Sequence, residues 1–391
     1  MTVPSDSFEF ASRVFHLYEM EKVLPKKVFQ NLKSVREGQE RFDTANADAI
    51  AQGIKEWALK QGATHFTHWF QPLRGAIAEK HDSFLEWADG SFCKSIENFR
   101  GRDLLKGEPD ASSFPTGGLR ITHQARGYTT WDPTADPFIW EGGDGLTLCL
   151  PALFFSWTGV SLDHKIPLLR SEEKIANAGM RLLKLCQVPA TRVFSTLGLE
   201  QEYFAIDREL YLARPDLLLS GRTLYGARPP KGQELEDHYF GPLKPRISAF
   251  MREFEEKALL LGIPLKTRHN EVAPAQHEVA PIFAPTSKAV DHNLLLMELI
   301  GQTALDHDLA VLFHEKPFAS INGSGKHSNW SLATETGLNL LDPRLEGEGR
   351  CLLFFTLLAA IVHAVHDHAG LLRATIASLG NDHRLGGSEA P

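Results

Sequence analysis

Cysteine is scarce in this chain: Cys93, Cys149, Cys186 and Cys351 stand far apart with no CxxC pair. That spacing excludes a disulfide framework and a zinc ribbon and makes a reducing, cytoplasmic setting the default. Runs of one charge are also missing. No stretch of five or more Lys or Arg occurs, and 41 basic against 49 acidic side chains give a net charge of −8, so nucleic acid is not an expected partner. Long hydrophobic runs are absent too. The longest apolar stretch, Leu352 to Val362, falls short of the roughly 20 residues a bilayer crossing needs. The N-terminus lacks a basic segment leading into an apolar one, so no membrane is expected. No internal repeat is visible.

What is present is enough to build large cores: 391 residues, 43% of them hydrophobic, suit two or three domains. From Phe8 to about Leu59 apolar residues recur at helical spacing and glycine is scarce, which predicts a helical extension. Between about Ala63 and Trp157 short segments are broken by turn chemistry, including Pro115, Gly117, Gly118, Pro133 and Pro137, which predicts a small α+β domain. A helix capped by Ser171 then opens a third region. It contains a strand over Thr196 to Ile206, a Gly/Pro/Arg-rich loop around Gly221 to Gly232, and a helix from about Pro245 to Leu260. A polar run from Lys266 to Glu278, a helix from about Ser287 to Leu312, and a helical pattern from about Leu352 to Leu379 with a candidate break at Gly370 follow. Strands and helices are mixed throughout, so the fold class is α+β.

Three local patterns carry chemistry. In Glu200-Gln201-Glu202 the two-residue period of a strand puts both glutamates on one face with Phe204 and Ile206. Like charges that close are costly unless a cation lies beside them, the arrangement Mg²⁺ and Mn²⁺ favour. The pair reads equally as two glutamates on a solvated strand face. EVAPAQHE supplies two more carboxylates, Glu271 and Glu278, with Pro274 holding the backbone extended; alone it reads equally as a surface loop. Asn322 to His327 is a glycine turn that lets a ligand approach the backbone and offers an imidazole nitrogen. It is not a phosphate-binding Walker loop, because position 320 is Ser and His327 stands where Ser or Thr is required. Lys316, ahead of Pro317, reads as a solvated lysine with no role. His363, His366 and His368 read as an exposed helix face.

In order, EQEYF, RHNEVAPAQHE, HEKPFASINGSGKHSNWS and GNDHRLGGSEAP resemble glutamine synthetase. The phrases THWFQP, EKHDSF and ARGYTTWDPTADPFIW resemble the type III branch of that family specifically, and the similarity runs from about Thr64 to the last residue. The resemblance implies a glutamine synthetase fold: a helical extension over residues 1–62, a β-grasp domain over 63–157, and a catalytic domain over 158–391 in which a curved antiparallel sheet is walled by helices. It also implies homo-oligomers whose active sites use two adjacent subunits, stacked as two hexameric rings into a dodecamer.

The implied activity is ATP-dependent ligation of ammonia to L-glutamate through a γ-glutamyl phosphate, with two or more Mg²⁺ or Mn²⁺ ions per site. By resemblance Glu202, Glu271 and Glu278 hold the ion beside glutamate, and Glu200 and His327 hold the ion beside the ATP phosphates. The backbone of Asn322 and Gly323 receives glutamate, Arg384 pairs with a substrate carboxylate, and Asn329 and Ser331 contact ATP. Asp110 in DASSFPTGG is the expected ammonium site, contributed across a subunit boundary, and it reads also as an Asx turn. Glu389 in GGSEAP is the expected flap glutamate that covers the site and removes a proton.

The family continues beyond the flap motif, whereas this sequence stops at Pro391, so the catalytic domain is expected to be C-terminally incomplete. The remaining arginines of the phosphate and glutamate sites fall in the part not represented. The expectation is little synthetase activity from these residues alone. The alternative is a catalytically inactive homologue that binds nucleotide or metal, or regulates an active synthetase. A ligase joining glutamate to other amines is a third reading, against which the presence of Asp110 counts.

Overall fold

A computed structural model describes residues 10–73, 77–109, 126–143, 145–227, 231–344 and 350–385. The chain divides into two units: residues 1–171 with 260–262, and residues 172–259 with 263–391.

In the first unit the helical extension consists of α1 (Leu17–Val23), α2 (Lys26–Arg36) and α3 (Ala47–Lys60). On α3, Ile50, Ala51, Ile54, Trp57 and Ala58 recur at helical spacing and are all buried. They share one apolar cluster with Phe15, Met20 and Leu32 from the extension and with Trp131, Ile139, Leu148 and Leu150 from the sheet. The strands are β1 (His65–Trp69), β2 (Asp82–Ser83), β3 (Leu85–Trp87), β4 (Ser95–Glu97), β5 (Gly127–Trp131), β6 (Phe138–Gly142) and β7 (Gly145–Ser156), with the short α4 (Gly101–Leu105) between β4 and β5. β7 is central: it pairs parallel with β1 and antiparallel with β5 and β6, while β3 and β4 form a separate hairpin.

Helix α5 (Lys165–Leu185) runs through the division. It starts six residues before the expected Ser171 cap. The amide of Ile166 donates to Asp163 Oδ1 at 3.0 Å, and Ser171 instead donates its hydroxyl to the Leu168 carbonyl at 2.7 Å from within the helix.

The second unit is built on β8 (Val193–Asp207), a 15-residue strand. Around it lie α6 (Arg208–Leu212), α7 (Pro215–Ser220), α8 (Pro245–Leu260), β9 (Leu265–Asn270), β10 (Gln276–Pro281), β11 (Ala284–Pro285), α9 (Thr286–Asp306), β12 (Leu309–Leu312) and β13 (Lys326–Thr334). Helices α10 (Arg350–Asp367), α11 (Ala369–Ile376) and α12 (Leu379–Leu385) follow. Gln201 pairs with both Val279 of β10 and Lys326 of β13, and Phe204 with both Gln276 of β10 and Leu312 of β12. β12 and β13 therefore share one edge of β8, and β10 takes the other. On the back face Tyr203 packs edge-on to Phe250 and Phe254 of α8, with ring centroids 6.3 and 6.5 Å apart, and Gln201 accepts from Asn293 of α9.

Three further expectations change. The helix expected to reach Leu312 ends at Asp306; Asp308 takes a left-handed φ of 53°, and the apolar run Leu309 to Leu312 pairs with β8. Periodicity cannot separate a buried four-residue strand from the tail of a buried helix. The polar run from Lys266 to Glu278 is the β9–β10 hairpin, turning through Ala275 at φ 65°. The helical pattern after Leu352 divides into three helices rather than two: a bend of 73° falls at His368, two residues before the candidate break at Gly370, and a second break follows Ile376. His363 lies on an exposed face and pairs with Asp367 at 2.9 Å. No single helix among the described residues is long and apolar enough to cross a membrane.

His68 in the first unit gives a test of this packing. Its Nε2 donates to the Asp103 carbonyl at 2.9 Å, so Nδ1 accepts from the Thr129 hydroxyl at 2.7 Å and the buried ring is neutral. Burial pushes its pKa down to about 4. An unfolded histidine takes a proton below about 6.5 and the folded one only near 4. This contribution is therefore complete above pH 6.5 and drains away as pH falls toward 4. Urea unfolding followed by tryptophan fluorescence at pH 7 and pH 5 is expected to lose up to about 2 kcal/mol through this group, and His68→Gln is expected to flatten that slope.

Candidate active site

Antiparallel register brings the sequence motifs onto one face of the second sheet. Residues directly opposite in such a pair share a face. Glu202 of β8 lies opposite Glu278 of β10, which lies opposite His269 of β9, while Glu200 lies opposite His327 of β13. Along β13 the two-residue period adds Asn329 and Ser331 to that face. Glu271 enters from the turn after β9.

The carboxylates are held by hydrogen bonds from different elements. Glu202 is buried, and its Oε2 accepts from the Gly325 amide at 2.7 Å and from Gln276 Nε2 at 3.0 Å. Glu200 accepts from Asn329 Nδ2 at 2.8 Å, and His327 Nδ1 lies 3.0 Å from its other oxygen. Glu278 Oε1 is 3.2 Å from His269 Nε2, and Glu271 Oε1 is 3.7 Å from His269 Nδ1. Burial raises the pKa of Glu278 to about 7, Glu271, Glu200 and Glu202 add to the rise, and His269 opposes it. Burial also raises Glu202, against the pull of the Gly325 amide.

Ligand atoms of Glu200, Glu278 and His327 lie within 4.8 Å of one another, as do those of His269, Glu271 and Glu278. Glu278 belongs to both groups. Carboxylate oxygens with one or two imidazole nitrogens form a donor set that fits a hard divalent cation such as Mg²⁺ or Mn²⁺.

The turn from Asn322 to Gly325 borders this cluster. A Cβ on Gly323 would lie 1.9 Å from the Glu315 carbonyl oxygen, so only glycine allows the chain to fold back here. Gly323 in turn gives its carbonyl to Gln276 Nε2 at 2.9 Å. A Cβ on Gly325 would meet Arg384 Nη2 at 2.6 Å and both Glu202 carboxylate oxygens at 3.1 Å, which puts the guanidinium of α12 at the same point. Lys316 is not solvated: it is buried, and its Nζ donates to the Ile321 carbonyl, stapling the loop that precedes the turn. Ser331 donates to Asn339 Oδ1 at 2.6 Å.

The structure thus brings together Glu200, Glu202, Glu271, Glu278, His327, Asn322, Gly323, Asn329 and Arg384. Asp110 and Glu389 lie outside the described residues. Sequence reasoning gave no role to His269, Gln276, Gln233 or Lys316. Gln276 carried a signal, because it stands two residues before Glu278 on one strand, whereas His269 reaches that face only through the β9–β10 register. Gln233 and Lys316 carried none, since their contacts depend on how two loops close.

A model described as "Glutamine synthetase type III N terminal" matches residues 6–171, and one described as "Glutamine synthetase, catalytic domain" matches residues 185–391. The type-3 glutamine synthetase of Dictyostelium discoideum is 52% identical over 385 residues, covering 98% of this chain and 52% of that protein. A glutamine synthetase of Bacteroides fragilis (strain YCH46) is 49% identical over 393 residues, covering 100% of this chain and 53% of that protein. The chain spans about half the length of the curated relatives it matches. Among solved structures, a cryo-EM structure of Plasmodium falciparum glutamine synthetase superposes with a TM-score of 0.64 at 16% identity, covering 89% of this chain and 64% of that one. That last likeness is one of fold.

Two substitutions test the geometry. Glu278→Gln removes a crowded carboxylate, so the melting temperature without divalent ions is expected to hold or rise, while most of the increase that Mn²⁺ gives the parent is lost. Gly323→Ala is expected to cost at least about 2 kcal/mol in urea unfolding, because backbone rather than a flexible side chain must yield.

Proposed function

This chain belongs to the glutamine synthetase family, in its type III branch, and from that premise we propose that the protein containing it ligates ammonia to L-glutamate at the expense of ATP. The observation that carries the reading is the convergence of Glu200, Glu202, Glu271, Glu278 and His327 on one sheet face, beside a glycine turn and Arg384.

The chemistry requires such a cluster. A carboxylate is a poor electrophile, so ammonia displaces its oxygen only after ATP has converted the γ-carboxylate to an acyl phosphate. Divalent ions held by the glutamates and His327 supply, when bound, the positive charge that lets an anionic carboxylate meet an anionic phosphate. The Asn322–Gly323 turn receives glutamate, and Arg384 pairs with one of its carboxylates. The hydrogen bonds that fix Glu202 and Glu200 before substrate arrives keep the acidic face from rearranging during phosphoryl transfer. Asn329 and Ser331 meet ATP on the exposed half of β13.

By sequence match alone, Asp110 binds ammonium and favours its deprotonation, and Glu389 covers the site and takes a proton. Closure there excludes water, which would otherwise hydrolyse the acyl phosphate. Assembly into two stacked hexameric rings, with active sites shared between adjacent subunits, belongs to the same proposal, as does a cytoplasmic setting.

Phosphate release from MgATP by the full-length protein that contains this chain, measured with and without glutamate and ammonium, tests the reading. Release that needs both substrates and falls at least about a hundredfold in Glu271→Gln is the expected result. Release independent of glutamate, or equal in the variant, would sink it.

A further inference from the structure

The segment from Gln233 to Tyr239 touches three separate pieces of the site, and nothing in the proposed chemistry uses it. The Asn322 amide donates to Gln233 Oε1 at 2.6 Å, and Gln233 Nε2 donates back to Asn322 Oδ1 at 3.2 Å. Five residues on, His238 Nδ1 donates to the Glu271 carbonyl at 2.6 Å. Tyr239 then stands edge-on to the His269 ring, with centroids 5.6 Å apart. Between these contacts Leu235 and Glu236 take left-handed φ angles of 57° and 53°. Two consecutive non-glycine residues there are unfavourable, so tertiary contacts must hold the segment in this shape.

The Gln233–Asn322 contact is the most informative of the three. A carboxamide offers one acceptor and two donors in one plane, and here it meets the amide and side chain of a single residue at two points. The 322–325 turn is otherwise tied down from Gly323 onward, by Gln276 at the Gly323 carbonyl and by Glu202 at the Gly325 amide. Gln233 supplies the restraint at Asn322 itself, across 89 residues of sequence.

We propose that Gln233 is a positioning residue for the acid substrate: it presets Asn322 so that the turn is ordered before glutamate arrives. This rests on the reading of the turn as the glutamate-receiving element. Ordering a loop in advance removes an entropic cost from binding, so losing the restraint raises KM more than it lowers kcat. A surrogate role would have the opposite sign. If the Gln233 carboxamide occupied a place that substrate must take, removing it would lower KM.

The experiment compares the parent, Gln233→Ala and Gln233→Glu in the intact protein. Two readouts are used: hydrogen–deuterium exchange over residues 316–326, and glutamate-dependent phosphate release. Gln233→Ala is expected to speed exchange at the Asn322 amide at least about tenfold and to raise KM for glutamate about five- to tenfold, the size of one lost hydrogen bond, with kcat changed less. Gln233→Glu keeps the oxygen that accepts from the Asn322 amide, so it is expected to keep the exchange protection. Unchanged exchange in Gln233→Ala, or a lower KM, overturns the proposal. A parent that releases phosphate without needing glutamate overturns the functional reading instead, and the exchange comparison still decides whether Gln233 orders the turn.

Discussion

Mutual repulsion among carboxylates is the constraint to which the second unit answers. Glu200, Glu202 and Glu278 share one sheet face with Glu271 close by, and Glu202 and Glu278 are buried. In a low-dielectric setting such groups stay ionised only if donors or cations face them. The chain supplies donors from every direction: a backbone amide at Gly325, a carboxamide at Gln276, another at Asn329, and the imidazoles of His327 and His269. The remaining imbalance falls on Glu278, whose pKa burial and the neighbouring carboxylates raise against the pull of His269.

The same constraint explains the architecture around β8. Delivering donors to both sides of one acidic strand takes partners on both edges, so β10 and β13 flank it in antiparallel register, and glycines at 323 and 325 let the turn between β12 and β13 come close enough to use its backbone. On the opposite face Tyr203 packs against Phe250 and Phe254 of α8, and the buried polar groups Ser195, Gln201 and His277 lie beside that aromatic contact. The acidic face keeps its own apolar end, where Phe204 is buried with Leu312 and Ile321 beyond Glu202.

Much of this was legible in the sequence, because strand period is a local property. Glu200 and Glu202 on one face follow from alternation alone, and the motif resemblance attaches Glu271, Glu278 and His327 to them. The structure groups these donors as Glu200–Glu278–His327 and His269–Glu271–Glu278, where the resemblance groups Glu202 with Glu271 and Glu278. Register puts Glu202 directly opposite Glu278, but its Oε2 is taken up by the Gly325 amide and Gln276, contacts no local pattern shows. Lys316 shows the limit most plainly: a lysine before proline suggests solvent, yet it is buried because the loop through Ile321 closes over it. The strand at Leu309 was missed for a related reason, since only the free edge of β8 turns that run from helix into strand.

Because both faces of β8 are committed, the strand has almost no freedom to drift. Shifting it by one residue would turn Tyr203 toward the acidic face and drive Glu202 into the aromatic contact. Diversification of this scaffold is therefore expected in the connecting segments 231–240, 271–275 and 315–325, which border the acidic face without carrying the sheet. Descendants that accept a different acid or amine would be expected to differ in those loops while keeping the strand's alternation letter for letter.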